Sequence, residues 1–435
     1  MSKAIFQRVK ATEPLLTYLK TGGSGNQICP RICRKDVAGR RSFSVTYCLL
    51  SKAPPQRKAN QVIDIPGLER ITYAERMHYV PGLSKPTFPH WRRDWHDPYH
   101  YYGPKCEEMP LHKDTPCYIF TQRTSILEGV RQALWLSKSK LIQGLPVQIL
   151  SLAEDPANQI ENQDQRVQEA IRHSRFWDTT EVRPRRDQFC PTLLKDLLHL
   201  CGTLQTKHPS LSKRMLAQNY SLSTYWNRDA DLFQVRGKNG MLLNSASPVP
   251  VVAGKEEVKS TEDYILESFY PISPTIDLQC TRVYQEKSHT GFGEGYPYPH
   301  AHTLFFSEAG DAGPMMKPEQ IRAKMIMFSF GNALARAHAL YGVQPQVLEQ
   351  PIVVQSVATD GRTFQFAVFQ LNSTELGPDT GIKNLVWLEP DQPLYDYAKC
   401  RPLIKRKVVQ VPAGLSGYQP DTFKKFLALY LHGAV

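Results

Sequence analysis

The run KPEQIRAKMIMFSFGNALARAHALYG, from Lys317 to Gly342, limits the fold more than any other stretch of the sequence. Pro318 suits the first turn of a helix and Gly342 a stop just past its end, and apolar residues lie nearly all round the cylinder between them. A helix without a polar face has to be central, so the rest of the chain must cover it on every side. It is not a membrane span. Arg336 and His338 interrupt it, and no other stretch approaches the roughly 18–20 uninterrupted apolar residues that crossing a bilayer requires. With 41% hydrophobic residues in a chain of 435, the expectation is a soluble globular body with ample core.

The elements expected to supply that cover are mixed. TSILEGVRQALWLSKSKLIQGLP reads as one helix, with a capping box at Ser125 and Glu128, an apolar stripe from Ile126 to Ile142, and Gly144 and Pro146 as its stop. DQRVQEAIRHSRFW and PTLLKDLLHLCGTLQ predict two more helices, a further one is expected around Glu256 to Ser268, and FKKFLALYLHG closes the chain as a short helix. YSLSTYWN alternates as a strand, and DLFQVRGKNGMLLN predicts a hairpin turning at Gly237 to Gly240. PIVVQSVATDGRTFQFAVFQLN predicts a second hairpin turning at Asp360 and Gly361. The predicted class is α+β, a mixed body with antiparallel hairpins, several helices and an extended N-terminal arm. There is no internal repeat and no low-complexity tract.

The net charge of +12 resembles a nucleic-acid signal until it is located. Residues 1–60 hold twelve Lys or Arg against Glu13 and Asp36, so they carry +10 and leave +2 for the remaining 375 residues. The opening MSKAIFQRVKATEPLLTYLK can place Ile5, Phe6 and Val9 on one helical face with Lys3, Arg8 and Lys10 on the other. That composition suits a mitochondrial transit peptide, and GRRSFSV suits processing between Phe43 and Ser44. A retained basic arm for RNA is the alternative. The predicted organisation is a cleaved presequence over 1–43, a linker and extended arm over 44–115, and a globular α+β domain over 116–435. Nine scattered cysteines, with only Cys29 and Cys33 close together, suit free thiols in a reducing matrix.

HTGFGEGYPYPHAHT, from His289 to Thr303, is the one stretch that suggests chemistry. A phosphate loop needs a helix after its glycines and a lysine beside them; here Tyr296 to Pro299 follow Gly291, Gly293 and Gly295, and no Gly-Lys-Ser or Gly-Lys-Thr occurs in the chain. His300 and His302 would share one face of a strand, as two ligands of one metal must, but His289 lies eleven residues before His300 and no acidic or cysteine ligand stands at a characteristic spacing. A structural turn with packed aromatics is the plainer reading. No hydrolase elbow, zinc-protease motif, dinucleotide fingerprint or CxxC is present, so neither a catalytic residue nor a cofactor is expected.

A binding signal remains. Between Tyr79 and Lys105, seven aromatics interleave with Lys85, Arg92, Arg93 and Lys105 in a proline-stiffened arm, where Trp91, Trp95, Tyr99, Tyr101 and Tyr102 can stack on unpaired bases or clamp the arm onto its own domain. Smaller basic groups at Arg185 and Arg186, and at Lys405, Arg406 and Lys407, can touch phosphate or lie solvated.

Long collinear stretches carry a resemblance: IPGLERITYAERMHYVPGL, CYIFTQRTSILEGVRQALWLSKSKLIQGLP, TGFGEGYPYPHAHTL, QIRAKMIMFSFGNALARAHALYG and VLEQPIVVQSVATDGRTFQFAVFQLN. From about Ile63 to Val435 the chain resembles the family of vertebrate large-subunit mitochondrial ribosomal protein thirty-seven. That resemblance implies a structural constituent of the mitochondrial large ribosomal subunit in the matrix, contacting ribosomal RNA and neighbouring large-subunit proteins, with a paralogous partner also known as programmed cell death protein nine. It brings no catalytic residue. The competing class is a matrix enzyme or metal-binding protein using the loop from Gly291 to His302.

Overall fold

The computed structural model describes residues 30–32, 45–47, 115–176, 185–269, 271–283, 286–307, 316–400, 402–405 and 408–435. The chain divides into two compact units, Met1–Tyr102 and Gly103–Val435. In the first, β1 (Pro30–Ile32) pairs antiparallel with β2 (Val45–Tyr47). The extended arm expected from Tyr79 to Lys105 lies outside the described residues.

In the second unit the order is β3 (Thr115–Phe120), α1 (Val130–Leu136), β4 (Ser139–Gln143), α2 (Val147–Glu154), α3 (Gln163–Phe176), α4 (Arg186–Gly202), β5 (Arg214–Arg228), β6 (Asp231–Ser245), α5 (Lys255–Lys259), β7 (Gln279–Val283), β8 (His300–Ser307), α6 (Pro318–Tyr341), β9 (Val347–Thr359), β10 (Thr363–Ser373), β11 (Asn384–Leu388) and β12 (Gln392–Pro393). Small hairpin strands β13 (Tyr397–Lys399), β14 (Leu403–Lys405), β15 (Val408–Val411) and β16 (Gly414–Ser416) precede α7 (Pro420–Leu431). Ten strands form one mixed sheet running β4-β11-β10-β9-β8-β6-β3-β7, with β5 paired to β6 and β12 to β10.

Period-two alternation puts both faces of this sheet into cores. On β10, Phe364, Phe366 and Val368 face α2, α3, α4 and α7, while Ala367, Phe369 and Leu371 face α1 and α6; Val353 and Val357 on β9 divide from Val354 and Ala358 in the same way. The architecture is therefore three layers, helices on both sides of a mixed sheet, and α6 is as central as its composition demands, with Met325 to Ala335 buried without a break. β8 and β9 are parallel and joined through α6, a crossover unit that fixes where their ends meet the helix.

Three expectations need correction. The helix read from Ser125 to Ile142 is only α1; Lys138 adopts φ 48 and the chain continues as β4. Leu141 and Ile142 pair in parallel with Val386 and Trp387, so the need to cover the edge of β11 overrides the helical period. The expected hairpin at Gly237 to Gly240 is instead the middle of the continuous β6, and the turn lies at Asp229, which has φ 52. A strand has two edges: β5 takes one along its whole length, while the other is shared by β3 over Leu232–Val235 and by β8 over Met241–Ser245. Gly240 stands where the neighbour changes, and a Cβ there would lie 2.2 Å from the Phe305 carbonyl oxygen. The helix expected around Glu256 to Ser268 is only the short α5.

Candidate functional site

The glycine- and histidine-rich loop feeds β8, and its residues pack where they stand. His289 exchanges both backbone hydrogen bonds with Ser223 of β5, its N–H reaching the Ser223 oxygen at 2.7 Å. Gly291 has φ 88, and a Cβ there would meet the Ser221 carbonyl oxygen at 2.2 Å, so the glycine serves a close backbone approach. Phe292 stacks between Tyr220 at 6.1 Å and Tyr296 at 4.5 Å, and Tyr298 stands edge-on to Tyr296. A strand follows, where a phosphate loop would need a helix.

The two strand histidines do not share a face. Register along β6 steps from Leu243 opposite Thr303 to Asn244 opposite Ala301, leaving His302 as the extra residue of a β-bulge. The bulge sends His302 beneath α7, whereas His300 stands beside Arg336 of α6, where burial and that guanidinium push its imidazole down to about 4. Among the described residues no three His, Cys, Asp or Glu side chains are grouped so as to hold a metal.

His302 is instead one member of a buried polar network. Its Nε2 lies 2.9 Å from the His432 carbonyl oxygen and donates to it, so Nδ1 is the acceptor facing Thr303 Oγ1 at 2.7 Å and Gln355 Nε2 at 3.3 Å. Gln355 also donates to the Leu429 carbonyl at 3.0 Å, and its Oε1 accepts from His432 Nδ1 at 3.2 Å. Arg214 donates to the carbonyls of Tyr430 and His432, supplying the donors that the end of α7 lacks. Burial and the Arg214 charge push His432 down to about 4 and His302 well below its ordinary value. Both rings are neutral hydrogen-bonding parts of the frame.

Of the basic residues singled out in the sequence, Arg185 and Arg186 open α4. Arg185 is exposed and pairs with Asp187 at 2.8 Å; Arg186 lies 3.8 Å from Asp360. Lys405 ends β14, while Arg406 and Lys407, together with Lys85, Trp91, Arg92, Arg93, Trp95, Tyr99, Tyr101, Tyr102 and Lys105, lie outside the described residues. Arg186 also lines a cleft of about 200 Å³ at the ends of β8 and β9, with Lys324, Gln365 and Asp391. Sequence reasoning missed this cleft, since its residues come from five separated segments. The signal available was HTLFF and PIVVQSV on either side of the long helix, which describes a parallel crossover unit.

Compared with known proteins, residues 308–432 match a family model described as mitochondrial 28S ribosomal protein S30 (PDCD9). Over 369 residues the chain is 58% identical to large ribosomal subunit protein mL37 of Gallus gallus, covering 85% of this chain and 86% of that one. Over 386 residues it is 55% identical to the protein of the same name in Rattus norvegicus and 53% to that in Bos taurus, each covering 88% of this chain and 91% of the relative. The family model and the relatives carry different subunit designations; the relatives decide, because they match nearly the whole chain and the model only its last third.

Proposed function

The chain belongs to the family of large ribosomal subunit protein mL37, and from that membership we infer that it is a structural constituent of the mitochondrial large ribosomal subunit, supporting translation in the matrix. The observation that carries the reading is identity above half along most of the chain, a length of match that no short motif approaches. Ribosomal RNA and neighbouring ribosomal proteins are its partners. The role is architectural: the glycine and histidine loop is anchored on β5 through His289, Gly291 and Phe292, His302 is buried as a neutral ring, and His300 is set against Arg336. No described helix is long and apolar enough to cross a membrane.

Within this reading, residues 1–43 are the cleaved presequence and the arm from Tyr79 to Lys105 makes the intermolecular contacts, its Arg92 and Arg93 meeting phosphate and its rings stacking on bases. Arg185, exposed at the start of α4, is a second phosphate contact, with Lys405, Arg406 and Lys407 a third. The protein whose family model matches residues 308–432 is the proposed paralogous partner. Depleting the protein should lower both the amount of large subunit and mitochondrial protein synthesis. Unchanged synthesis with an unchanged subunit level would contradict the reading.

A further inference from the structure

A second pocket, of about 70 Å³, lies at the far end of α6 from the cleft, between the last turns of that helix, the start of β8 and the residues that open β9. Small-molecule sites run to ~300–1,000 Å³, so this space takes the tip of a side chain and no more. Arg336 is the one charged side chain lining it. Two observations point to what it takes.

The first is a partly buried cation that nothing answers. The more deeply buried Arg214 donates to the carbonyls of Tyr430 and His432, and Arg228 to the Leu376 carbonyl and to Asp379. Arg336 has no such acceptor among the described residues. Burial holds its guanidinium below the ordinary range, the only group that opposes that shift is the Tyr341 phenol, which is uncharged at neutral pH, and the His300 ring beside it is neutral. Its Nε is enclosed without a partner, so the terminal nitrogens are the donors left to face the pocket. A partly desolvated cation costs stability until an anion meets it. The second observation is the rim. Leu340 and Tyr341 line the pocket, and with Val343 and Val347 in the turn that follows they stand 38–70% exposed. The turn is pinned, since the Gly342 N–H donates to the His338 carbonyl, the Thr374 N–H to the Gln346 carbonyl at 2.9 Å, and the Gln346 N–H to Thr374 Oγ1 at 3.0 Å. The apolar rim is therefore set in place before anything covers it.

We propose that this pocket anchors a protein–protein contact, in which an Asp or Glu of a neighbouring protein enters to meet Arg336 while apolar residues beside it cover Leu340, Tyr341, Val343 and Val347. Arginine and tyrosine in an apolar setting are the residues that dominate such contacts. A phosphodiester chain fits less well, since RNA is held by several cations along a surface and here a single one is set within an apolar rim. The neighbour's being a large-subunit protein rests on the ribosomal reading, while the carboxylate and its apolar flank rest on the pocket.

The test uses the full chain assembled into the large subunit, with a photoreactive benzophenone amino acid in place of Val347, alone and combined with Arg336→Met or Arg336→Lys. Irradiation is expected to give an adduct that survives ribonuclease, and peptide mapping to place an Asp or Glu close to the joined position. Arg336→Met should cut the yield of adduct roughly tenfold and Arg336→Lys restore most of it, with thermal midpoints of the free proteins within a few degrees of one another. An adduct digested by ribonuclease assigns the surface to RNA and overturns the inference. So do a joined peptide without a nearby carboxylate, the absence of any adduct, and an equal yield with Arg336→Met. Where the chain still travels with the large subunit, those results remove this contact and leave the ribosomal role intact; a chain absent from the subunit contradicts both.

Discussion

Two glutamines on neighbouring strands of one sheet, Gln355 on β9 and Gln365 on β10, are both buried, yet they differ in what surrounds them. Every polar atom of Gln355 is used, its amide bridging His302, Thr303, Leu429 and His432 across the sheet to α7. Gln365 has a saturated nitrogen and a buried oxygen with no hydrogen-bond partner. A buried polar group that is fully paired adds to the stability of the frame, while one left half paired costs part of what its burial gains. By that standard His302 and His432 are architecture.

The difference should appear first in stability. Gln355→Leu strands His432 Nδ1 and the Leu429 carbonyl in the interior, and a loss of 3 kcal/mol or a little more is expected from urea unfolding. A loss below about 1 kcal/mol would mean that the network is not closed. Acid should then separate the regions further. The folded pKa of His432, about 4, lies below its unfolded value of 6.5, so the unfolded chain binds the extra proton in that window. Stability contributed by the neutral ring is complete above pH 6.5 and declines as pH falls to 4, by about 3 kcal/mol. A flat profile of unfolding free energy over that range would refute the assignment.

Arg214→Met removes the donors from the end of α7 and also the charge that helps depress both histidines. It should cost about 2 kcal/mol and make the acid limb shallower, since His432 then titrates nearer its ordinary value. The smallest change is expected at the cleft: Gln365→Met replaces an unpaired oxygen with a thioether and leaves Asp391 held by Arg322, so unfolding should shift by less than about 1 kcal/mol. A loss as large as that of Gln355→Leu would erase the contrast between the two residues.

The sequence was most legible where periodicity and burial agree. The central position of α6, the strand from Tyr220 to Asn227, and the β9–β10 turn at Asp360 and Gly361 all follow from patterns of apolar residues and turn chemistry. It was least legible where a distant partner decides. Leu141 and Ile142 fit a helix as well as a strand until β11 claims them, and Gly240 looks like a turn until β8 approaches it. The metal-like spacing of His300 and His302 fails for the same kind of reason, a one-residue bulge specified by β6. Gln365 carried no signal, since an orphaned oxygen becomes visible only when its surroundings are assembled.

The central claim is that the chain is a working part of the large subunit, and gradient sedimentation of mitochondrial lysate tests it most directly. The account predicts that the protein travels with the large ribosomal subunit and is released by ribonuclease or high salt. Finding the bulk of it in the light fractions, untouched by ribonuclease or salt, would contradict the account.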